Sequence, residues 1–172
     1  MQGALRSEGA PTPVVAAMTQ PPLCYPHPKG LGLRRPPASG LHETAGLPGN
    51  FALDFMAPGG TPFLAPQDAT VTRLSGHDPA LGVRDGDIFG WSLYLTTAPG
   101  KIVYFATHLG DRSVKLGQKV KRGELLGHVG HWPHDPGRSH THLGITHPAG
   151  FTAAIARIKA VAKAPMLPFP PL

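Results

Sequence analysis

The sequence predicts a mainly β fold, a twisted antiparallel β-sheet or sandwich with one C-terminal helix. From residue 41 to residue 148, short runs rich in β-branched and aromatic residues alternate with Gly, Pro and Asp, a texture typical of strands joined by tight turns. The chain has 22 glycines and 21 prolines without a collagen-like period, which indicates many turns. With 172 residues, 41% of them hydrophobic, it is long enough for one domain with its own core.

Five segments have the composition and length of strands. They cover residues 51–55, 69–74, 91–96, 102–108 and 139–146. The tight connection TAPG between the third and the fourth predicts a hairpin. Residues 113–130 carry four glycines among apolar residues. Short strands bent at glycine fit this pattern better than a helix, because glycine inside a helix costs about 1 kcal/mol relative to alanine.

The chain divides into three parts. Residues 1–40 form a Pro/Gly-rich N-terminal arm without a clear period, and its Pro pairs break helices. We expect this arm to be loosely held and able to lie across the domain. Residues 41–148 form the β-rich domain, and residues 149–172 hold the helix and a Pro-rich tail. Apolar residues recur at helical spacing after Thr152, the predicted cap, and Pro165 ends the helix.

The formal net charge of +6 suits an acidic polymer: nucleic acid, an anionic membrane surface or a carboxylate-rich cell wall. The Lys and Arg residues are scattered, so we predict no nucleic-acid binding. No run of 18 apolar residues is present, which predicts no membrane span. The single cysteine, Cys24, excludes an internal disulfide and is interpreted as incidental rather than catalytic.

Ten histidines are a large share of the polar residues, and a neutral imidazole is the commonest ligand for transition metals. His140 and His142 are two apart in a predicted strand, so their side chains share one face of a rigid element. An exposed pair would be equally compatible with this spacing. The other histidines near them, and His27, are interpreted as ordinary loop residues: His27, His128, His131, His134 and His147.

Asp54 lies in an apolar run, where a carboxylate is costly unless it is paired or binds a metal. The alternation of this run leaves Ala52 and Asp54 on one face, so an exposed or turn-capping aspartate is the alternative. His108 ends another apolar strand and is a third candidate for the wall of a site.

Several motifs occur in a fixed order along the β-rich domain. They are Asp54-Phe55, Gly60-Thr61-Pro62, Ala65-Pro66, the segment 104–109, VKLGQKV at 114–120, Gly123, Gly127 and SHTHL at 139–143. This order resembles that of the lysostaphin-like peptidoglycan endopeptidases, over about residues 42–147. Residues 46–65 resemble a branch seen in actinobacteria and their phages. The resemblance implies the β-sheet architecture of that family, known as the duplicated hybrid motif.

The resemblance also implies roles for four residues. Asp54 and His142 correspond to two zinc ligands, and His108 and His140 to two catalytic histidines. The implied cofactor is Zn²⁺ and the implied partner is peptidoglycan. Zinc with three protein ligands keeps a position for water and lowers its pKa towards 7. One histidine can then accept the proton of that water, while the other hydrogen-bonds the oxyanion or the departing amine.

One position departs from the family pattern. Asn50 stands four residues before Asp54, where the family usually has its first zinc-binding histidine, and a carboxamide is a poor zinc ligand. His42 could supply the ligand from a loop with two glycines, Asn50 could bind weakly or through water, or the site could be inactive. We favour His42, because an inactive site would have little use for His108, His140 and His142 together. His77 is a weaker substitute.

The predicted function is zinc-dependent hydrolysis of peptide bonds in peptidoglycan stems or cross-bridges. The alternative is an inactive wall-binding or phage tail module of the same fold. The start of the chain lacks a convincing signal peptide. We therefore expect action at the bacterial cell wall as a phage endolysin or virion component, with phage tail proteins as further partners, or after release from the host cytoplasm.

Two other classes fit parts of the sequence. The glycine-punctuated segment VKLGQKVKRGELLG resembles the strands of biotinyl and lipoyl domains, but no methionine flanks a modifiable lysine there. Two facing histidines also suit phosphotransfer on histidine, in which Asp54 would have no part.

Overall fold

The computed structural model describes residues 21–29, 41–43, 51–78, 90–98, 100–132 and 136–168. These residues form nine strands and one α-helix, α1 (Phe151–Lys163). The strands are β1 (His42–Glu43), β2 (Phe51–Met56), β3 (Pro62–Leu64), β4 (Ala69–Gly76), β5 (Trp91–Thr96), β6 (Val103–Leu109), β7 (Lys119–Val120), β8 (Leu125–His128) and β9 (His140–Thr146). The predicted fold class, mainly β with one C-terminal helix, is confirmed.

Seven strands form one antiparallel sheet in the order β1-β2-β9-β6-β5-β4-β7, and β3 pairs with β8 in a second sheet. β5 and β6 pair antiparallel as the predicted hairpin. The bounds of the five predicted strands differ from the observed ones by no more than two residues. β1 and β3 were not predicted from the sequence, because strands of two or three residues are too short to show an alternation.

The seven-stranded sheet has two different faces. Along β2, Leu53 and Phe55 enter the core while Ala52 and Asp54 point the other way, because side chains alternate along a strand. The core joins this apolar face to buried residues of β3, β8 and α1, among them Phe63, Leu126, Ala154, Ile158 and Val161. We call the opposite face, which carries Asp54, the site face.

The helix α1 packs as predicted but begins differently. Its N-cap is Gly150, with φ of 88° and no side-chain cap, so the expected capping by Thr152 is wrong. Gly150 takes this position because a positive φ is open to glycine without steric cost. Within the described residues, no helix is long and apolar enough to cross a membrane.

A buried polar chain fixes α1 to the sheet. Nε of Arg157 donates a hydrogen bond to the hydroxyl of Tyr104 at 2.9 Å, and that hydroxyl donates to Oε1 of Gln67 at 2.8 Å. All three residues are buried. Because a buried polar group is costly without a partner, these two hydrogen bonds favour one position of α1 on the sheet over others.

The arm is not loosely held over residues 23–28, which corrects that expectation for this segment. Cys24 and Tyr25 are completely buried. The backbone N–H of Tyr25 donates to the carbonyl of Pro165 at 2.9 Å, and that of Leu64 in β3 donates to the carbonyl of Pro26 at 2.7 Å. The segment therefore lies between β3 and the chain that follows α1.

Two side chains of this buried segment have strongly shifted pKa values. Burial lowers the pKa of His27 to about 4, although a 2.8 Å hydrogen bond with the carbonyl of Pro62 opposes the shift. His27 lies outside the strands and helices, as expected of a loop residue, but it is a neutral residue of the core. Burial raises the pKa of the Cys24 thiol to about 11, so the thiol stays protonated at neutral pH and is no nucleophile.

Candidate active site

His42, Asp54 and His142 form a compact cluster on the site face, with one ligand atom of each within 4.8 Å of the others. Nδ1 of His142 hydrogen-bonds Oδ1 of Asp54 at 2.8 Å. Nε2 of His42 lies 3.3 Å from Nδ1 of His142 and 3.7 Å from Oδ1 of Asp54. His142 is buried and the other two residues are half-buried, so the cluster lies just beneath the surface.

The strand register produces this cluster. Asp54 lies opposite His142 in the β2–β9 pair, and His42 lies opposite Ala52 in the β1–β2 pair. Opposite residues of antiparallel strands share a face, as do residues two apart along one strand. The three side chains therefore converge from three neighbouring strands. His42 reaches the cluster from an edge strand and not from the glycine loop that the sequence analysis considered.

Asp54 is held in its ionised form. Its partial burial raises the pKa of the carboxyl group. The hydrogen bond from His142 and the charges of His140, His142 and His42 lower this pKa, and together they outweigh the effect of burial. The net effect is a pKa below the usual value. An ionised carboxylate surrounded by imidazoles favours a bound cation, because the ligands of a metal ion must be deprotonated.

The donor set fits a zinc ion. Two imidazole nitrogens and one carboxylate oxygen are ordinary zinc ligands, and three protein ligands are typical of catalytic sites. Ligand atoms of a tetrahedral site with bonds of about 2.0–2.1 Å lie about 3.3–3.4 Å apart. The three separations of 2.8, 3.3 and 3.7 Å bracket that value, so small side-chain rotations suffice.

His140 lies beside this cluster with a defined tautomer. Its Nδ1 donates a 2.6 Å hydrogen bond to the carbonyl of Arg138. In the neutral imidazole the lone pair is then on Nε2, which lies 3.8 Å from Oδ1 of Asp54. His140 therefore presents a proton acceptor to the cluster.

A β-bulge brings His108 to the same place. β6 gains a residue relative to β5 between the pairs Leu93–Ala106 and Trp91–Leu109, and His108 has φ of 68°. Positive φ is uncommon for residues other than glycine and often marks a functional position. The imidazole of His108 lies 4.7 Å from that of His140 and 6.0 Å from that of His142 between ring centroids.

Trp132 completes the wall around the two histidines, and the sequence analysis did not single it out. Its ring stacks on His140 at 5.9 Å and meets the ring of His108 edge-on at 5.5 Å. Its backbone N–H donates to Oγ of Ser139 at 3.2 Å. An indole eight residues before the HxH pair was the available signal, but no spacing rule links a loop residue to a strand face.

The structure brings together His42, Asp54, His108, His140 and His142, and leaves other histidines apart. His77 lies after β4 and is not in the cluster. His128 pairs with Asp111 at 2.8 Å, and the imidazole of His131 lies over Gly59. Asn50 lies outside the described residues, as does His134.

The comparisons agree with this fold. An antiparallel sheet with a His/Asp/His cluster is compatible with a metallopeptidase. The sequence profile of peptidase family M23 matches residues 49–155, and the chain belongs to this family, the lysostaphin-like peptidases. Among curated proteins, none matches the chain significantly.

Solved structures show the same fold. Lysostaphin matches with a TM-score of 0.56 and 18% identity, over 86% of this chain and 61% of lysostaphin. A zinc-containing peptidase from Vibrio cholerae matches with a TM-score of 0.51 and 19% identity, over 74% of this chain and 37% of the peptidase. The catalytic domain of the prophage-encoded M23 protein EnpA from Enterococcus faecalis, as a point mutant, has 25% identity over 72% of this chain and 87% of that domain, with a TM-score of 0.49. The chain thus spans less than two thirds of lysostaphin and of the Vibrio peptidase.

Proposed function

We propose that the chain is a zinc-dependent endopeptidase that hydrolyses peptide bonds in the stems or cross-bridges of peptidoglycan. Members of family M23 cleave peptidoglycan, and the match covers residues 49–155. The observation that carries the proposal is the cluster of His42, Asp54 and His142 next to two further histidines on one face of the sheet.

His42, Asp54 and His142 are the proposed metal ligands. His42 lies before the region that matches the family profile, so this chain would draw one ligand from outside the common pattern. That choice is supported by the 3.3 Å contact between His42 and His142. When bound, zinc supplies Lewis acidity, which polarises the scissile carbonyl and lowers the pKa of water.

His140 and His108 are the proposed catalytic residues. Nε2 of His140 accepts the proton of the attacking water, because Nδ1 is occupied by the carbonyl of Arg138. The strained backbone of His108 aims its ring at the same space. From there it hydrogen-bonds the oxyanion or the departing amine. Trp132 restricts the motion of both rings.

The decisive experiment measures metal content and wall clearing together. The full chain is purified, its zinc is quantified by mass spectrometry, and the turbidity of purified cell-wall suspensions is followed. We expect about one equivalent of zinc and clearing of at least one wall type. His140→Ala should keep the zinc and lose the clearing, because His140 handles a proton and is not a proposed ligand.

Two results would count against the proposal. A protein without zinc that clears no wall type would instead be the inactive wall-binding or phage tail module. Clearing that persists in His140→Ala would remove this histidine from the mechanism. Delivery to the wall by a phage or from the host cytoplasm is a separate prediction, which immunodetection of the protein in purified virions checks.

A further inference from the structure

We propose that Arg73, held over the ring of Tyr94, binds a carboxylate of the substrate peptide several residues away from the scissile bond. This inference rests on the proposed peptidase function and adds a specificity site to it. It would make the enzyme selective for wall peptides that keep a free carboxylate at that distance.

Aromatic contacts connect Arg73 to the cluster along the site face. The ring of Phe105 lies 6.3 Å from that of His142, and the ring of Tyr94 lies 4.8 Å from that of Phe105. The guanidinium carbon of Arg73 lies 5.1 Å from the centroid of Tyr94. Because each contact joins neighbouring strands, the arginine lies on the same face of the sheet as the proposed ligands.

A second β-bulge gives this spot its polar character. β4 gains a residue relative to β5 between Val71 and Arg73. The extra residue, Thr72, hydrogen-bonds the hydroxyl of Thr96 at 2.9 Å. The bulge therefore turns two consecutive polar side chains, Thr72 and Arg73, towards β5. Both of these residues are exposed.

The chemistry of the spot suits a carboxylate. Among the residues that the structure describes, none provides Arg73 with an ion-pair partner. The guanidinium is nonetheless held by the ring of Tyr94 through a cation–π contact. A planar guanidinium binds a carboxylate through two parallel hydrogen bonds, and its prior orientation reduces the entropy lost on binding.

The distance sets where the carboxylate must lie in the substrate. His142 and Arg73 are three strands apart and displaced by two residues along them. With strands about 4.8 Å apart and residues about 3.4 Å apart, the separation is on the order of 15 Å. An extended peptide covers this distance in about four or five residues, so the carboxylate lies that far from the scissile bond.

The test compares two forms of one substrate. Purified sacculi are used either native or with their carboxylates converted to amides by carbodiimide and ammonia. Clearing rates and co-sedimentation are measured with the zinc-loaded full chain, with Arg73→Gln, and with Lys159→Gln. Lys159 is an exposed cation on α1, on the other side of the sheet. Lys159→Gln therefore removes one positive charge, as Arg73→Gln does, but leaves the proposed carboxylate site intact.

We expect amidation to lower clearing and binding by the wild type and by Lys159→Gln about tenfold. Arg73→Gln should show that loss already on native sacculi and no further loss on amidated ones. Tyr94→Leu should resemble Arg73→Gln, because it removes the ring that holds the guanidinium. Tyr94→Phe keeps a ring and should lose less binding than Tyr94→Leu.

Two outcomes overturn the inference. One is equal sensitivity to amidation in the wild type and in Arg73→Gln. The other is an equal loss of binding in Arg73→Gln and Lys159→Gln. Co-sedimentation needs no catalysis. A protein that binds native sacculi through Arg73 but holds no zinc and clears no wall type would therefore refute the peptidase function and leave the carboxylate site standing.

Discussion

Asp54 and His142 lie directly opposite each other in the β2–β9 pair, with Oδ1 and Nδ1 2.8 Å apart. Rigid strands thus hold a carboxylate and an imidazole at ligand separation. We expect Asp54→Asn to weaken zinc binding at least a hundredfold, because an amide oxygen lacks the charge that offsets the cation. Competition with a chromophoric chelator measures the affinity. Zinc affinity within threefold of the wild type would show that Asp54 is not a ligand.

His42 is the proposed ligand that lies outside the region matched by the family profile, so it is tested directly. We expect His42→Ala to weaken zinc binding about a hundredfold or more, because it removes one of three protein ligands. His77→Ala is the matched control, since His77 lies outside the cluster, and it should bind zinc as the wild type does. The same chelator competition is applied to Asn50→Ala. If Asn50→Ala loses zinc and His42→Ala keeps it, the ligand assignment is wrong.

Trp132 offers a way to separate positioning from metal binding. We expect Trp132→Ala to lower kcat for wall cleavage about ten- to a hundredfold, because the rings of His140 and His108 lose the surface that orients them. Zinc affinity should change less than threefold. Trp132→Phe keeps a ring and should retain more of the rate. A loss of zinc that parallels the loss of rate would contradict a positioning role.

His27 makes the stability of the fold depend on pH. Its pKa is about 4 in the folded protein and about 6.5 when exposed. Between these values only the unfolded chain gains the proton, so the free energy of unfolding falls as pH decreases from 6.5 to 4, by about 3 kcal/mol in total. Well above pH 6.5, where His27 is neutral in both states, this residue contributes no pH dependence.

Urea unfolding with chelator present, at several pH values, measures this slope. His27→Gln cannot take up a proton, so its stability should fall less steeply over the same interval, although it is less stable at pH 7. Other titrating groups contribute equally to both proteins and cancel in the difference. Parallel pH profiles for the two proteins would rule out His27 as the source.

The hydrogen bonds that join Arg157, Tyr104 and Gln67 make the hydroxyl of Tyr104 important for stability. Tyr104→Phe should lower the free energy of unfolding by about 2–3 kcal/mol, because buried Arg157 and Gln67 each lose a partner. Tyr94→Phe removes a half-buried hydroxyl on the other face and should change stability by less than about 0.5 kcal/mol. Thermal and urea unfolding measure both. Equal effects of the two substitutions would refute this account.

The sequence predicted the features that depend on periodicity. Alternation identified the long strands. It also placed His140 and His142 on one face of their strand, and Asp54 on the face opposite to Leu53 and Phe55. The roles of the site residues came from the order of the motifs and remain predictions. The branch of the family to which the chain belongs also remains a prediction.

Features that depend on long-range pairing could not be predicted in the same way. His42 meets Asp54 through a two-residue strand, and His108 reaches the site through a bulge, neither of which leaves a periodic signal. Cys24, Tyr25 and His27 lie in a proline-rich segment without periodicity, yet they are fully buried. Their burial depends on contacts with residues about 35 to 140 positions away.

The contact between the arm and the end of the chain has a consequence for biosynthesis. The carbonyl of Pro165, which accepts the N–H of Tyr25, is synthesised 140 residues after Tyr25. The N–H of Lys29 must likewise wait for the carbonyl of Leu167. The segment around Tyr25 therefore makes these contacts only after residue 167 has been synthesised. Until then, the slot that Tyr25 fills beside Phe55 is open to water and to chaperones.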